Sequence, residues 1–183
     1  MSRKAIFLDR DGVINYPILK QGKPYPPRKL DEVKIYPEVY SFLEIMKNSG
    51  FYLIVITNQP DVARGDILKS KVEEINDYLL KNLTLDYIKV CYHDDSDNCE
   101  CRKPRPGSLI SAAKLYNLKL EKSYMIGDRW KDISAGLKAG CKTIFIDRNY
   151  NEKKPENYHV KINNLDEARD YINKDIKETL WKK

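Results

Sequence analysis

Five short apolar runs, each closing on a polar or acidic residue, constrain this chain more than any other feature. They are KAIFLD (4–9), FYLIVITN (51–58), DYIKVCYH (86–93), SYMIGD (123–128) and KTIFID (142–147). Each is too short for an ordinary helix and too continuously apolar for a strand with one wet face. They predict strands buried on both faces, as in a parallel sheet.

Between the runs the pattern changes to a helical period. In YPEVYSFLEIMKNSG, Val39, Phe42, Leu43 and Met46 fall at i, i+3, i+4 and i+7, with Pro37 near the start and Gly50 past the end. DILKSKVEEINDYLLKN, GSLISAAKLYN and WKDISAGLKAG continue the alternation, and HVKINNLDEARDYI adds a weak strand and a last helix. Strands alternating with helices predict an α/β fold with a central parallel sheet and helices on both faces. No repeat, low-complexity tract or linker interrupts it, so residues 1–183 are expected to form one domain. The Pro-rich stretch YPILKQGKPYPPRKLDEV (16–33) is too long for a usual strand-to-helix connection and is expected to form a rim loop over a binding site.

No apolar run approaches the roughly 20 residues that cross a bilayer, and MSRKAIFLDRDG lacks the small-residue cleavage site of a signal peptide. A cytoplasmic protein without a membrane partner is the expectation. The net charge of +6 and pI of about 9.0 fit an anionic substrate, a nucleic acid or simply a lysine-rich composition, and the lysines are scattered rather than clustered.

Ligands of such a sheet bind beyond the carboxyl ends of its strands. Those ends carry Asp9 and Asp11, then Thr57 and Asn58, then a Cys/His cluster running into Arg102 and Lys103, then Asp128 with Asp132 four residues on. Grouped carboxylates repel one another unless a cation binds them, and hard oxygen ligands suit Mg²⁺. With the cation present Asp9 can attack phosphorus, and Asp11 can protonate the leaving alkoxide and then activate water. Thr57 and Lys103 can stabilise the phosphoryl oxygens. Asp128 is the expected second metal carboxylate, and Asp132 can bind a metal water or orient Lys103.

The segments FLDRDGVIN, VITNQPDVARG, CRKPRPG and MIGDRWKDISAG resemble, in order and spacing, the four motifs of the haloacid dehalogenase (HAD) superfamily of phosphatases. More narrowly they resemble the heptose 1,7-bisphosphate phosphatases and the related histidinol-phosphate phosphatases. The resemblance implies a Rossmann-like, HAD-like three-layer sandwich around a central parallel sheet, and Mg²⁺ held by Asp9, the backbone carbonyl of Asp11, and Asp128. It also implies substrate contacts from Thr57, Asn58, Gln59 and Lys103. Arg64 and Arg102 are placed to engage a second phosphate, which favours a bisphosphate sugar over histidinol phosphate, whereas Pro60 departs from the small residue usual after TNQ. Only 45 residues separate Asp11 from Thr57, so no cap domain is expected. A polynucleotide 3′-phosphatase and a non-enzymatic zinc-stabilised binding module are the competing readings. A monomer acting on a small phosphorylated sugar is expected.

The pattern Cys91-x-His93-x5-Cys99-x-Cys101 supplies three thiols and an imidazole, the set of a closed structural zinc site. A disulfide suits it poorly, because three clustered cysteines leave one over. Cys141 is expected to be a small buried residue, His159 structural or solvated, and KETLWKK a basic helix end.

Overall fold

In the computed structural model, which describes residues 3–180 (the side chains of 179 and 180 excepted), the alternation becomes a six-stranded sheet. Its strands are β1 (Lys4–Leu8), β4 (Phe51–Asn58), β5 (Tyr87–Cys91), β6 (Tyr124–Gly127), β7 (Lys142–Ile146) and β8 (Val160–Ile162), in the order β5-β4-β1-β6-β7-β8. Every neighbouring pair is parallel. The helices are α1 (Glu38–Asn48), α2 (Lys69–Asn82), α3 (Gly107–Tyr116), α4 (Trp130–Ala139) and α5 (Leu165–Leu180).

The continuous apolar runs are explained by two cores. On β1, Ile6 and Leu8 point into a core shared with Phe42 and Met46 of α1, Ile75 of α2 and Ile172 of α5. Ala5 and Phe7 point the other way, into a core with Leu109 of α3 and Ala135 of α4. Each strand residue therefore meets apolar packing whichever face it takes, and the sheet is the middle of three layers. The four periodic residues of α1 are all buried. Cys141 is buried in the second core, and His159 is structural, its Nδ1 accepting the Thr143 backbone N–H at 3.1 Å. Of KETLWKK, residues 181–183 lie outside the described residues. No helix among the described residues is long and apolar enough to cross a membrane.

The 16–33 segment is not simply a loop. It contains a hairpin of β2 (Ile18–Lys20) and β3 (Lys23–Tyr25), turning through Gln21 and Gly22 at φ +52° and +75°. Two left-handed residues make the tight turn whose twist matches paired strands. With three-residue strands and Pro24 inside one of them, the hairpin leaves little periodic signal to read.

From β1 the chain moves outward to β4 and β5, then returns across β1 to β6 and continues outward on the other side. The strand order thus reverses between β1 and β6, and a crevice opens beyond their carboxyl ends. Asp9 follows β1 and Asp128 follows β6.

Candidate active site

At that crevice Lys103 is the organising residue. Although fully buried, its ammonium places its donors on the Asp9 carboxylate at 2.7 Å, the Asp132 carboxylate at 2.7 Å and the Ile56 carbonyl at 2.7 Å. An ammonium has three donors, so all are used. Burial works against its charge, but Asp132 and Asp9 outweigh that and hold its pKa above the ordinary lysine value. Asn58 positions the same residue through the backbone: its amide nitrogen donates to the Lys103 carbonyl at 3.0 Å, and its amide oxygen accepts the Lys103 N–H at 3.2 Å.

One carboxylate oxygen from each of Asp9, Asp128 and Asp132 lies within 4.8 Å of the others, and all three residues are buried. Burial, with Asp132 nearby, pushes Asp9 up to about 6. Burial likewise carries Asp128 well above the usual carboxylate range, with Asp9 and Asp132 adding repulsion. Both carboxylate oxygens of Asp128 are buried without a well-formed hydrogen bond, although the Tyr150 hydroxyl lies close enough to interact with them. Buried carboxylate oxygens without a well-formed hydrogen bond, beside two further carboxylates and a lysine, fit a hard divalent cation.

Gly12 lets Asp128 come this close. Its φ of +97° suits glycine, and a Cβ there would stand 1.8 Å from Asp128 Oδ2. Asp132 is fixed from its own helix, where it accepts the Arg129 backbone N–H at 3.0 Å as part of the α4 cap.

Asp11 sits one turn away, with three donor residues around it. Arg10 reaches it through Nε and Nη2 (3.2 and 3.0 Å), Asn15 through its amide (2.9 Å) and Gln59 through Nε2 (2.9 Å). Gln59 also donates to Thr57 Oγ1 at 2.9 Å. Arg10, Asn15 and Asn76, whose amide oxygen accepts from Arg10 at 2.9 Å, are absent from the sequence reading. Arg10 and Asn15 do lie within FLDRDGVIN, whereas Asn76 lies outside the four motifs.

The four residues expected to bind zinc converge. Sulfur separations are 3.2 Å for Cys91–Cys101, 3.3 Å for Cys99–Cys101 and 3.6 Å for Cys91–Cys99, with His93 Nδ1 3.3 Å from Cys101 and 3.7 Å from Cys91. All three thiols are free, and these spacings far exceed the roughly 2 Å of an S–S bond. Zn–S bonds of about 2.3 Å place tetrahedral ligands a little under ~4 Å apart, so this soft donor set fits zinc. Burial pushes the Cys91 thiol up. Cys99 is also raised by burial, but hydrogen bonds from Cys101 and the backbone outweigh this and bring it down to about 7. The loop is tied to the segment after Lys103 by Arg105 donating to the Cys99 carbonyl at 2.7 Å and Ser108 donating to the Cys101 carbonyl at 2.8 Å.

Asp9, Asp11, Thr57, Asn58 and Lys103 line a cleft of about 250 Å³ together with Arg64 and Arg102. Lys23, Pro24 and Tyr25 of the hairpin line it as well. The two arginines expected to meet a second phosphate already hold carboxylates: Arg64 binds Asp94, and Arg102 binds Asp95.

Comparison with known proteins gives a consistent picture. A HAD-hydrolase-like family model matches residues 100–179. The chain is 34% identical over 177 residues to a D-glycero-beta-D-manno-heptose-1,7-bisphosphate 7-phosphatase of Helicobacter pylori strain J99, covering 93% of this chain and 98% of that protein. It is 33% identical over 180 residues to the corresponding alpha-heptose enzyme of Campylobacter jejuni, covering 96% of this chain and 100% of that one. Among solved structures, the D,D-heptose 1,7-bisphosphate phosphatase of B. bronchiseptica, complexed with magnesium and phosphate, superposes with a TM-score of 0.78 at 26% identity, covering 94% of this chain and 99% of that one.

Proposed function

Because the chain belongs to the heptose 1,7-bisphosphate 7-phosphatase family of HAD-like hydrolases, we propose that it hydrolyses the 7-phosphate of D-glycero-D-manno-heptose 1,7-bisphosphate through an aspartyl-phosphate on Asp9. The observation that carries the chemistry is the buried arrangement itself: Asp9 on the Lys103 ammonium, beside the buried carboxylates of Asp128 and Asp132.

Asp9, the backbone carbonyl of Asp11 and Asp128 hold Mg²⁺, with Asp132 next to them. When bound, the ion neutralises carboxylate and phosphoryl charge so that one anion can approach another. An Asp9 oxygen attacks phosphorus; the P–O bond to the sugar breaks with its electron pair passing to the sugar oxygen, which takes a proton from Asp11. Water then attacks the aspartyl-phosphate, Asp11 takes its proton, and inorganic phosphate leaves with Asp9 restored. Throughout, the positive charge of Lys103 and the Thr57 hydroxyl stabilise the phosphoryl oxygens, and Asn58 keeps the Lys103 backbone in register. Gln59, Arg64 and Arg102 complete the substrate contacts. Cys91, His93, Cys99 and Cys101 hold a structural zinc that fixes where the Arg102–Lys103 pair begins.

The reading carries with it a cytoplasmic monomer of one domain without a separate cap, with the hairpin as the rim of an open cleft. It is tested by Mg²⁺-dependent phosphate release from both anomers of the heptose bisphosphate and from histidinol phosphate. Release from the bisphosphate is expected; turnover of histidinol phosphate alone overturns the reading.

A further inference from the structure

One segment beside the cleft belongs to none of the four motifs. Between β7 and β8, residues 148–152 (RNYNE) send one side chain or backbone group after another to separate pieces of the site. Arg148 Nε donates to the Gly12 carbonyl at 3.0 Å, and its guanidinium lies over the Tyr36 ring, 4.0 Å from the centroid. The Asn151 backbone N–H donates at 2.9 Å to the carbonyl of Gly22, at the tip of the hairpin. Glu152 closes Arg129 with a bidentate pair at 2.8 and 2.6 Å. Asn149, left-handed at φ +55° with its N–H on Asp147 Oδ1 at 3.0 Å, makes the turn that carries the segment back over the site.

The middle residue of this segment meets the carboxylate cluster. The Tyr150 hydroxyl is buried, lacks a well-formed hydrogen bond and lies against the Asp128 carboxylate. The two converge on the bare face of Gly12, where a Cβ would stand 1.8 Å from Asp128 Oδ2 and 2.9 Å from the Tyr150 oxygen. Asp128 needs a donor more than its neighbours do. Lys103 commits its three donors to Asp9, Asp132 and the Ile56 carbonyl, which leaves none for Asp128. A carboxylate that gives one oxygen to a cation can still turn about its own bond unless the other oxygen is held. A phenol suits that task, because its ring is rigid and its hydrogen rotates to meet the acceptor.

We propose that Tyr150 is a positioning residue whose hydroxyl donates to Asp128 and presents that carboxylate to the divalent cation, with residues 148–152 as the frame that sets its place. Resting on the Mg²⁺-dependent phosphatase reading above, this role adds to the site a residue outside its four motifs. The frame is fixed at Gly12, at the hairpin tip and at Arg129, so contacts on either side of Tyr150 set where its hydroxyl stands. A hydroxyl without a well-formed bond adds little to the metal-free fold. Its contribution comes when Asp128 is drawn to a cation.

The test is Mg²⁺ calorimetry on the zinc-containing full chain, freed of Mg²⁺ by buffer exchange, beside Mg²⁺ titrations of phosphate release. Tyr150→Phe removes the hydroxyl and keeps the ring. It should weaken Mg²⁺ binding roughly ten-fold and raise the Mg²⁺ concentration for half-maximal release in step, while release at saturating Mg²⁺ stays within about two-fold of the wild type. Without Mg²⁺ its melting temperature should stay within about 2 °C of the wild type. Unchanged Mg²⁺ affinity in Tyr150→Phe overturns the proposal. So does a loss of affinity confined to Tyr150→Leu, which would make the residue a packing element. A wild type that binds no Mg²⁺ refutes the metal reading and the role of Tyr150 together. A wild type that binds Mg²⁺ but releases no phosphate from the heptose bisphosphate removes the substrate reading alone, because calorimetry still decides Tyr150.

Discussion

Two clusters with the donor sets of metal sites approach each other where Cys101 of one is followed two residues later by Lys103, the counter-ion of the other, and they are built on opposite principles. The Cys/His cluster is local: its four ligands come from eleven consecutive residues (91–101). It is partly exposed, and its thiols can hydrogen-bond to one another. The carboxylate cluster is assembled from Asp9, Asp128 and Asp132, residues far apart in the chain that only the sheet brings together. It is buried and repulsive, with Lys103 between two of its three members. The first cluster can organise a short loop by itself. The second exists only because the surrounding fold compels it, and that compulsion gives it chemical reactivity.

The contrast predicts a graded series of effects. Asp9→Asn should lower phosphate release by roughly 10⁴-fold or more, with zinc content and circular dichroism unchanged, since only the nucleophile is lost. Near-wild-type turnover would falsify the covalent mechanism. Next, Lys103→Met removes the counter-charge of Asp9 and Asp132, and should destabilise the metal-free protein by about 3–5 kcal/mol in urea unfolding. Mg²⁺ should recover part of that loss, and an equal loss with and without Mg²⁺ would mean the carboxylates do not share the ion.

Elemental analysis should find one zinc per chain, and Cys99→Ser should remove it and lower the melting temperature by roughly 5–10 °C. Its effect on turnover should be far smaller than that of Asp9→Asn, about ten-fold, because the loop fixes Lys103 without touching phosphate. Equal losses from the two variants would erase the distinction between the clusters.

The smallest effect is a pH dependence. Asp9 is pushed up to about 6 in the fold, against ~4 in an unfolded chain. Between those values the metal-free fold holds a proton the unfolded chain has released, so it loses stability as pH rises from about 4 through about 6. Mg²⁺ replaces that proton. The gap in melting temperature between Mg²⁺-loaded and EDTA-treated protein should therefore widen by a few degrees from pH 5 to pH 7, and a constant gap would show that the ion does not compete with protonation at this site.

Much of this was legible in the sequence. Each apolar run became a strand of the parallel sheet, and the helical period of Val39, Phe42, Leu43 and Met46 gave α1 its buried face. The cysteine spacing announced a cluster because all its members are near neighbours. Less was legible where a contact joins distant residues. Nothing in Arg10 points to its bond with Asn76, 66 positions away. Asn58 followed a threonine in a phosphate-binding pattern, and only its position opposite Lys103 shows that it also secures that residue's backbone. The β2–β3 hairpin was hidden by the shortness of its strands.

By itself, then, the sequence determined the alternation of strand and helix, the double-sided burial of the sheet, and which residue types stand at each strand end. These follow from local periodicity and from the need to cover apolar faces. Tertiary structure decided which strand ends meet. The reversal of strand order between β1 and β6 put Asp9 beside Asp128 and brought Lys103 between Asp9 and Asp132. It also decided that the DDSDN turn lends Asp94 and Asp95 to the cleft arginines. Charge pairing across a crevice depends on distance through space, which a linear pattern of residues does not encode.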